Sequence, residues 1–129
     1  MALTSKWWQT IAIGDTTGTE TNLTKPLYYN DTGYAIEISS AVMTGFMAAS
    51  ATDYYTVVIT DSGGNTMVSK SMAAGIGYTG YLDFGTLSTT YYTIDAGETI
   101  YLAFTQAGNG AVVADMKVQL IGTIVRGVD

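Results

Sequence analysis

Two residue types that carry much of enzyme chemistry are missing from this chain of 129 residues, which contains no histidine and no cysteine. Ser-His-Asp and Cys-His nucleophilic catalysis both need an imidazole, and zinc sites of the usual kinds need imidazole or thiolate ligands. Disulfide bonds are excluded in the same way. What remains for acid–base work is a pair of carboxylates, as in glycoside hydrolysis.

The carboxylates lie mostly in segments with the composition of turns, where an aspartate commonly accepts hydrogen bonds from its own backbone. These turn acids are Asp15, Asp31, Asp61, Asp95 and Asp115. Glu37 and Asp83 fall in predicted strands, where a solvated strand face accounts for each of them. We therefore predict that the protein is not an enzyme and assign no catalytic residue.

Two further patterns bear on ligands. The segment Gly75-Ile-Gly77-Tyr-Thr-Gly80 has the G-x-G-x-x-G spacing of dinucleotide-binding loops, but that motif works only where a helix follows, and here a β-rich run follows. Turn carboxylates could supply oxygen ligands to calcium, although no D-x-D-x-D-G loop is present. We predict no cofactor and no metal, with a calcium site in the turns as the less favoured alternative.

The charge balance of the chain limits its partners. Five Lys and Arg residues stand against eleven Asp and Glu residues, giving a net charge of −6, and the five bases are scattered. Binding to nucleic acid or to an anionic membrane surface needs clustered bases, so neither partner is expected. No apolar run approaches the roughly 20 residues of a transmembrane helix, and the first residues do not resemble a signal peptide.

The surface composition favours contact with other proteins. Only 12% of the residues are charged, 47% are hydrophobic, and ten are tyrosines. Exposed apolar patches usually mark contact sites, so burial in an oligomer or a larger assembly is the preferred interpretation. The alternative is a β-sandwich whose solvent face is rich in Thr and Tyr.

Adjacent aromatic residues give the most specific hypothesis about a contact. In a strand, Trp7 and Trp8 must point to opposite faces, so one can enter the core while the other faces a partner. The alternative is that both cover this subunit's own sandwich. Three tyrosine pairs repeat the arrangement, and the last predicted strand has apolar residues on its outer face. The candidate interface residues are Trp7, Trp8, Tyr28, Tyr29, Tyr54, Tyr91, Tyr92, Ile121 and Val125.

Strands and turns must position these residues, because no segment of ten or more residues has apolar residues at the spacing of one helix face. Alternation with a period of two places Ile36, Ile38, Ser40 and Val42 on one strand face. The run 54–60, the turn Asp61-Ser-Gly-Gly-Asn65 and the run 66–72 predict a hairpin. The full set of predicted strands is 6–13, 34–42, 54–60, 66–72, 78–87, 99–105 and 115–125.

Seven or eight short strands with regular turn signals predict a single all-β domain, an antiparallel sandwich or barrel. Segment 14–26 is polar and rich in Gly and Thr, which predicts a loop or an ordered arm, and Pro26 is expected where that arm joins the body. We therefore divide the chain into an extended N-terminal arm, 1–26, and a sandwich, 27–129.

Four segments of the chain have a pattern shared with a known group of proteins. They are the opening strand Tyr34-Ala-Ile-Glu-Ile, the hairpin from Tyr55 to Asn65, the turn and strand from Ile94 to Phe104, and the closing segment from Gly108 to Leu120. On these segments, about three-quarters of the chain resembles the capsid decoration, or cement, proteins of tailed bacteriophages. This resemblance implies a jelly-roll sandwich of about eight strands, often a homotrimer arranged like tumour necrosis factor.

The resemblance also implies a function. Such proteins sit on the exterior of the virion capsid, bridge neighbouring major capsid proteins and reinforce the shell, after assembly in the host cytoplasm. The expected partners are therefore the major capsid protein and other copies of this chain. The alternative is a receptor- or carbohydrate-binding module of a phage tail fibre or tip, where jelly-rolls also occur and tyrosines could stack on sugars.

Overall fold

Nine β-strands joined by turns and loops make up the described part of the chain. The structure is a computed structural model that describes residues 2–15, 22–77, 80–109 and 112–127. Within these ranges no helix is long and apolar enough to cross a membrane. The strands are β1 (Ala2–Gly14), β2 (Asn22–Tyr29), β3 (Ala35–Phe46), β4 (Tyr54–Thr60), β5 (Thr66–Ser71), β6 (Leu82–Asp83), β7 (Thr93–Ile94), β8 (Thr99–Ala107) and β9 (Ala114–Gly127).

The strands pair as a nested set of antiparallel hairpins. β4 pairs with β5 at the centre of the set, β3 pairs with β6 and β7, β2 pairs with β8, and β1 pairs with β9. Two further pairs, β3 with β9 and β4 with β8, join the hairpins into sheets of order β1-β9-β3-β6 and β2-β8-β4-β5. This is a long antiparallel ribbon folded over into a jelly roll. The predicted all-β sandwich is confirmed.

The core lies between the two sheets and is formed by every second side chain of the long strands. β4 shows this alternation throughout and β8 shows it from Thr99 to Thr105, because successive side chains of a strand point to opposite faces. The rings of Tyr55 and Phe104 meet edge to face there, with centroids 5.7 Å apart. Fully burying side chains of this size contributes about 1.5–3 kcal/mol each.

The predicted hairpin is confirmed. β4 covers the predicted run 54–60, and β5 ends one residue before the predicted end. The Asp61 carboxylate accepts hydrogen bonds from the backbone N–H groups of Gly63 and Asn65, both at 2.9 Å. Gly64 takes the positive φ of 82° that closes the turn. The turn aspartate thus has the backbone-binding role expected of it.

The face assignment along β3 is correct for its first half and wrong for its second half. Ile36 and Ile38 are buried, but the buried residues that follow are Ala41 and Met43 instead of Ser40 and Val42. The pairing register with β9 shifts between Ile38 and Ser40. A bulge adds one residue to the strand, and one extra residue exchanges the two faces.

The predicted strand 78–87 is largely wrong. Tyr78 and Thr79 lie outside the described residues, and the only strand within residues 80–87 is the two-residue β6. The backbone N–H of Gly85 donates to the Asp83 carboxylate at 2.8 Å, and Gly85 has a φ of 82°. This local turn ends the strand, and pairing with β3 resumes only at β7.

The predicted polar segment 14–26 is partly strand. β2 begins at Asn22, so Pro26 lies inside a strand and not at a joint, while residues 16–21 lie outside the described part. The proline is tolerated because β2 is an edge strand whose register with β8 shifts just after it. β1 extends well beyond the predicted 6–13 and pairs with β9 along its length. The division into 1–26 and 27–129 stays a prediction.

Candidate interaction surface

The two tryptophans of β1 divide between the core and the surface. Trp7 is 6% exposed and belongs to the core, whereas Trp8 is 64% exposed. This is the split that strand geometry predicts for adjacent residues. Trp7 is covered by its own subunit, so any effect it has on a partner contact is indirect, through the position of β1. Trp8 is the member of the pair available to a partner.

Trp7 anchors β1 against the second sheet. Its ring meets Tyr28 of β2 edge to face, with centroids 5.1 Å apart. The pKa of the Tyr28 phenol is raised, first because burial disfavours the charged phenolate; a hydrogen bond with the Trp7 side chain opposes this, and the negative charge of Asp31 adds to it. The contact fixes the orientation of β1 and therefore the outward direction of Trp8.

Strand register brings Trp8 together with two other candidate residues from the far end of the sequence. Trp8 lies directly opposite Ile121 of β9, which is 42% exposed. Val125 lies opposite Thr4, one outward position beyond Thr123 on the same side of β9. We call the outward-pointing side chains of β1, β9, β3 and β6 the Trp8 face. Its apolar part lies toward the β1 edge, where Trp8 and Ile121 are directly opposed neighbours.

Charges on the Trp8 face are separated by sign. Lys6 and Lys117 lie on β1 and β9, while Glu37 lies on β3 and Asp83 on β6. Lys117 has an ion pair with Asp115 at 3.7 Å, but both side chains are largely exposed, so that pair adds little stability. The face is therefore positive toward the β1 edge and negative toward the β6 edge.

The other candidate residues are not brought to this face. Tyr28 and Tyr29 belong to β2 and Tyr54 to β4, all in the second sheet, and Tyr29 and Tyr91 are exposed while Tyr54 and Tyr92 are half-buried. Sequence reasoning missed the exposed side chains of Leu3, Tyr34, Tyr81 and Val112. No local signal identifies them, because a single apolar residue in a strand or loop has no pattern that reveals its exposure.

One end of the sandwich is organised by Asn30, which is fully buried. Its side-chain amide donates to the carbonyl oxygens of Tyr34, at 2.7 Å, and Ile94, at 2.9 Å. Its carbonyl oxygen accepts from the backbone N–H and the hydroxyl of Thr32. Each group of the amide thus has a partner, and the side chain joins the β2–β3 turn to the end of β7.

The carboxylates of the described residues do not cluster. In this part of the chain, no group of three or more carboxylates is placed to hold a metal ion. The Asp15 carboxylate accepts a hydrogen bond from the backbone N–H of Asp115 at 2.6 Å, which is a structural role. Gly75 and Gly77 have positive φ angles, and β6 follows the glycine-rich segment in place of a helix.

A shallow depression beside the β3 bulge is rich in hydroxyl groups. Ile38, Leu87 and Tyr92 give it an apolar base, and its other lining residues are Ser39, Thr86, Ser88 and Thr89. It lies where strand pairing along β3 is interrupted between β6 and β7. A mixture of aromatic, aliphatic and hydroxyl groups is the kind of lining that orients a small polar ligand.

Comparison with known proteins gives matches in structure alone. No protein-family model matches the sequence, and no curated protein is significantly similar to it. The fold resembles a chain of the cyanophage Pam1 capsid asymmetric unit, with a TM-score of 0.57 and 21% sequence identity, over 96% of this chain and 86% of that chain. The shared feature is the fold, across nearly the whole of both chains.

Weaker structural similarity extends to infectious bursal disease virus. A chain of the Gx strain gives a TM-score of 0.41 with 12% identity over 98% of this chain, and a chain of the Gt strain gives 0.45 with 14% identity over 93%. This chain spans 37% and 35% of the length of those two chains, respectively.

Proposed function

We propose that this protein is a structural component of a virion, a decoration or cement protein that binds the exterior of a phage capsid lattice and stabilises it as a homotrimer. One observation carries the proposal: the exposed, directly opposed pair Trp8 and Ile121 on the outer face of the β1-β9-β3-β6 sheet. Exposed apolar surface of this kind marks a protein contact. The likeness of fold and length to a chain of the cyanophage Pam1 capsid asymmetric unit supports the setting.

The separation of positive from negative charges on the Trp8 face supports a trimer that closes into a ring. A trimer uses a heterologous interface, in which two different patches meet at each contact. The positive side, with Lys6 and Lys117, is complementary to the negative side, with Glu37 and Asp83, of the next subunit. In this arrangement Trp8, Ile121 and Val125 form the contact between subunits, and Trp7 holds β1 in position.

We assign the remaining candidate interface residues to a contact with the second expected partner, the major capsid protein. Tyr29 and Tyr91 are exposed, and Tyr28, Tyr54 and Tyr92 are half-buried, so each can contribute ring surface and a hydroxyl to a contact without leaving the core open. Deleting residues 1–26 is not a clean test of any of these contacts, because it removes β1 and more than half of β2 from the sandwich.

A substitution of Trp8 tests the proposal. We expect the wild-type protein to sediment as a trimer and to bind emptied phage capsids at a near-stoichiometric ratio. Trp8→Ser should weaken trimer formation at least about 30-fold, since truncating a central tryptophan commonly costs about 2 kcal/mol or more of binding. Sedimentation equilibrium measures the trimer, and co-sedimentation measures capsid binding.

Tyr29 provides the control, because it is 56% exposed and lies on β2 in the second sheet, away from the Trp8 face. Tyr29→Ser should leave the trimer unchanged. A wild-type protein that is monomeric and does not bind capsids would contradict the proposal, and equal weakening by both substitutions would contradict the role of the Trp8 face.

The hydroxyl-lined depression favours a second function, a receptor- or carbohydrate-binding module of a phage tail fibre or tip. Tyr92 and Leu87 offer the apolar surface on which a sugar ring stacks, and the serines and threonines offer hydrogen bonds. This alternative predicts few copies per virion and binding to host glycans that is lost in Tyr92→Ala. Saturable glycan binding without capsid binding would favour it over the decoration role.

A further inference from the structure

The outer edge of β1 is a long row of backbone groups without a strand beside it. β1 is the terminal strand of its sheet and is paired only with β9 among the described residues. Its register with β9 is continuous from Ala2 to Ala12. Every second residue of such an edge points its N–H and C=O groups away from the sheet, where they can pair with another extended chain.

β1 is the longest of the described edge strands and the least protected of them. β2 contains Pro26 and a register shift, β5 is six residues long and contains Lys70, and β6 and β7 are two residues each. Prolines, bulges, lysines and shortness are the usual devices against strand addition. Within its 13 residues β1 has no proline, Lys6 is its single charge, and its register with β9 shifts only near the end, between Ala12 and Gly14.

The side chains next to the β1 edge define what an added strand must carry. On the core side, Ile11 and Ile13 of β1 and Leu23 of β2 pack against the core but remain partly exposed, so this side of the sandwich is incompletely covered. An added strand would cover them with its own inward side chains. Burying apolar surface in this way is favourable only if those side chains are apolar.

The charges near the same edge define which outward-pointing side chains an added strand should carry. Of the five bases in the chain, Lys6 lies on β1, Lys117 lies on β9, and the Lys25 amino group is 3.5 Å from the Ile13 carbonyl oxygen. Arg126 of β9 lies over the Tyr34 ring, on the β3 side of its strand. The nearby acids are Asp15 and Asp115, at one end, and Asp115 is paired with Lys117. In a chain with a net charge of −6, this edge is locally positive, so a second copy of β1 is a poorer occupant than an acidic strand.

We propose that the β1 edge binds an extended segment of a partner protein in which apolar residues alternate with acidic ones. The segment pairs with β1 through backbone hydrogen bonds, covers Ile11 and Ile13 with its apolar residues, and places an acid beside Lys6. The added segment extends the sheet at its edge, in the plane of the sheet, whereas a partner on the Trp8 face would lie above that plane. The inference goes beyond the proposed function and does not require a capsid.

Two short peptides test the inference on the whole protein. The probe is the acetylated peptide Thr-Val-Glu-Val-Thr-Val-Glu-Val-Thr, and its control carries Lys in place of both Glu residues. NMR titration should show saturable shifts in alternate amides of β1, with the acidic peptide bound about tenfold more tightly at low salt, a difference that follows from one close charge pair. The difference should shrink at high salt.

Variants of two edge lysines separate local from general charge effects. Lys6→Glu should reverse the preference between the peptides, whereas Lys70→Glu, which changes the net charge equally but lies on the β5 edge, should leave it unchanged. Equal binding of the two peptides, or shifts centred on β5 or β2, would overturn the inference. An edge already occupied by a second copy would also overturn it, because the β1 amides would then respond to neither peptide. Because the probe needs no capsid, none of these outcomes depends on the result for Trp8→Ser.

Discussion

At the scale of single residues, the carboxamide of Asn30 joins backbone segments that are distant in the sequence. Its hydrogen bonds reach Thr32, Tyr34 and Ile94. The sequence shows only an Asn-Asp-Thr triplet of the kind that accepts glycans, and the structure uses the same asparagine inside the protein. Nothing in the local pattern reveals this, since the Ile94 carbonyl arrives from the opposite side of the sandwich.

Removing this amide should be costly. We expect Asn30→Ala to lower the free energy of unfolding by about 2–4 kcal/mol, because it removes the hydrogen bond to the buried Ile94 carbonyl oxygen and the acceptor for the Thr32 backbone N–H. Asn65→Ala is the control: Asn65 also lies in a turn and bonds Asp61, but it is only partly buried, so its loss should cost about 1 kcal/mol. Urea unfolding followed by fluorescence measures both, and equal costs would contradict the role assigned to Asn30.

At the scale of elements, strand prediction succeeded where composition and pairing agree locally. The hairpin of β4 and β5 was predicted nearly to the residue because its turn, Asp61 to Asn65, consists of residue types that form tight turns by themselves. Prediction failed at β3 and around β6, where a bulge and a local turn decide which backbone groups pair. The Ser39 hydroxyl donates to the Ile121 carbonyl oxygen at 3.1 Å beside that bulge, a contact between strands that periodicity within one strand cannot show.

The bulge makes a glycine necessary on the neighbouring strand. Gly122 lies opposite Trp7 on one side and Ile38 on the other, and a Cβ there would overlap the Glu37 carbonyl oxygen. We expect Gly122→Ala to destabilise the protein by about 2–4 kcal/mol, because backbone on two strands must move. Thr123→Ala, at the adjacent position, should cost less than about 1 kcal/mol. Thermal unfolding of the two variants checks the difference, and a neutral Gly122→Ala would show that the strands separate without cost.

At the scale of the whole molecule, the candidate surface depends on a pairing between the two ends of the sequence. Composition and the Trp7-Trp8 pair predicted an outward tryptophan, and the apolar outer side of the last strand was noted independently. Their meeting could not be predicted, because the register that places Trp8 opposite Ile121 is set by the global topology. For the same reason the sequence does not show that the tyrosine pairs, which resemble the Trp7-Trp8 pair, lie away from the Trp8 face.

Truncation tests the division of the chain into arm and sandwich. We expect residues 27–129 alone to lack a cooperative unfolding transition, because the deletion uncovers one side of β9 and leaves β8 without most of its β2 partner. Differential scanning calorimetry checks this, with the full chain as the reference. A truncated protein that unfolds cooperatively near the temperature of the full chain would support a separable arm.

The nested pairing of the strands has a consequence for how the chain reaches its native state. β4 and β5 are neighbours in sequence, but Ala2 pairs with Gly127. Because β1 is synthesised before β9, β1 has no pairing partner for a time on the order of ten seconds at usual translation rates. Until then its apolar side chains have no strand on either side. High contact order slows such a topology, so we expect the last strand to trigger a late, concerted closure in which β1 is the segment most in need of protection from aggregation.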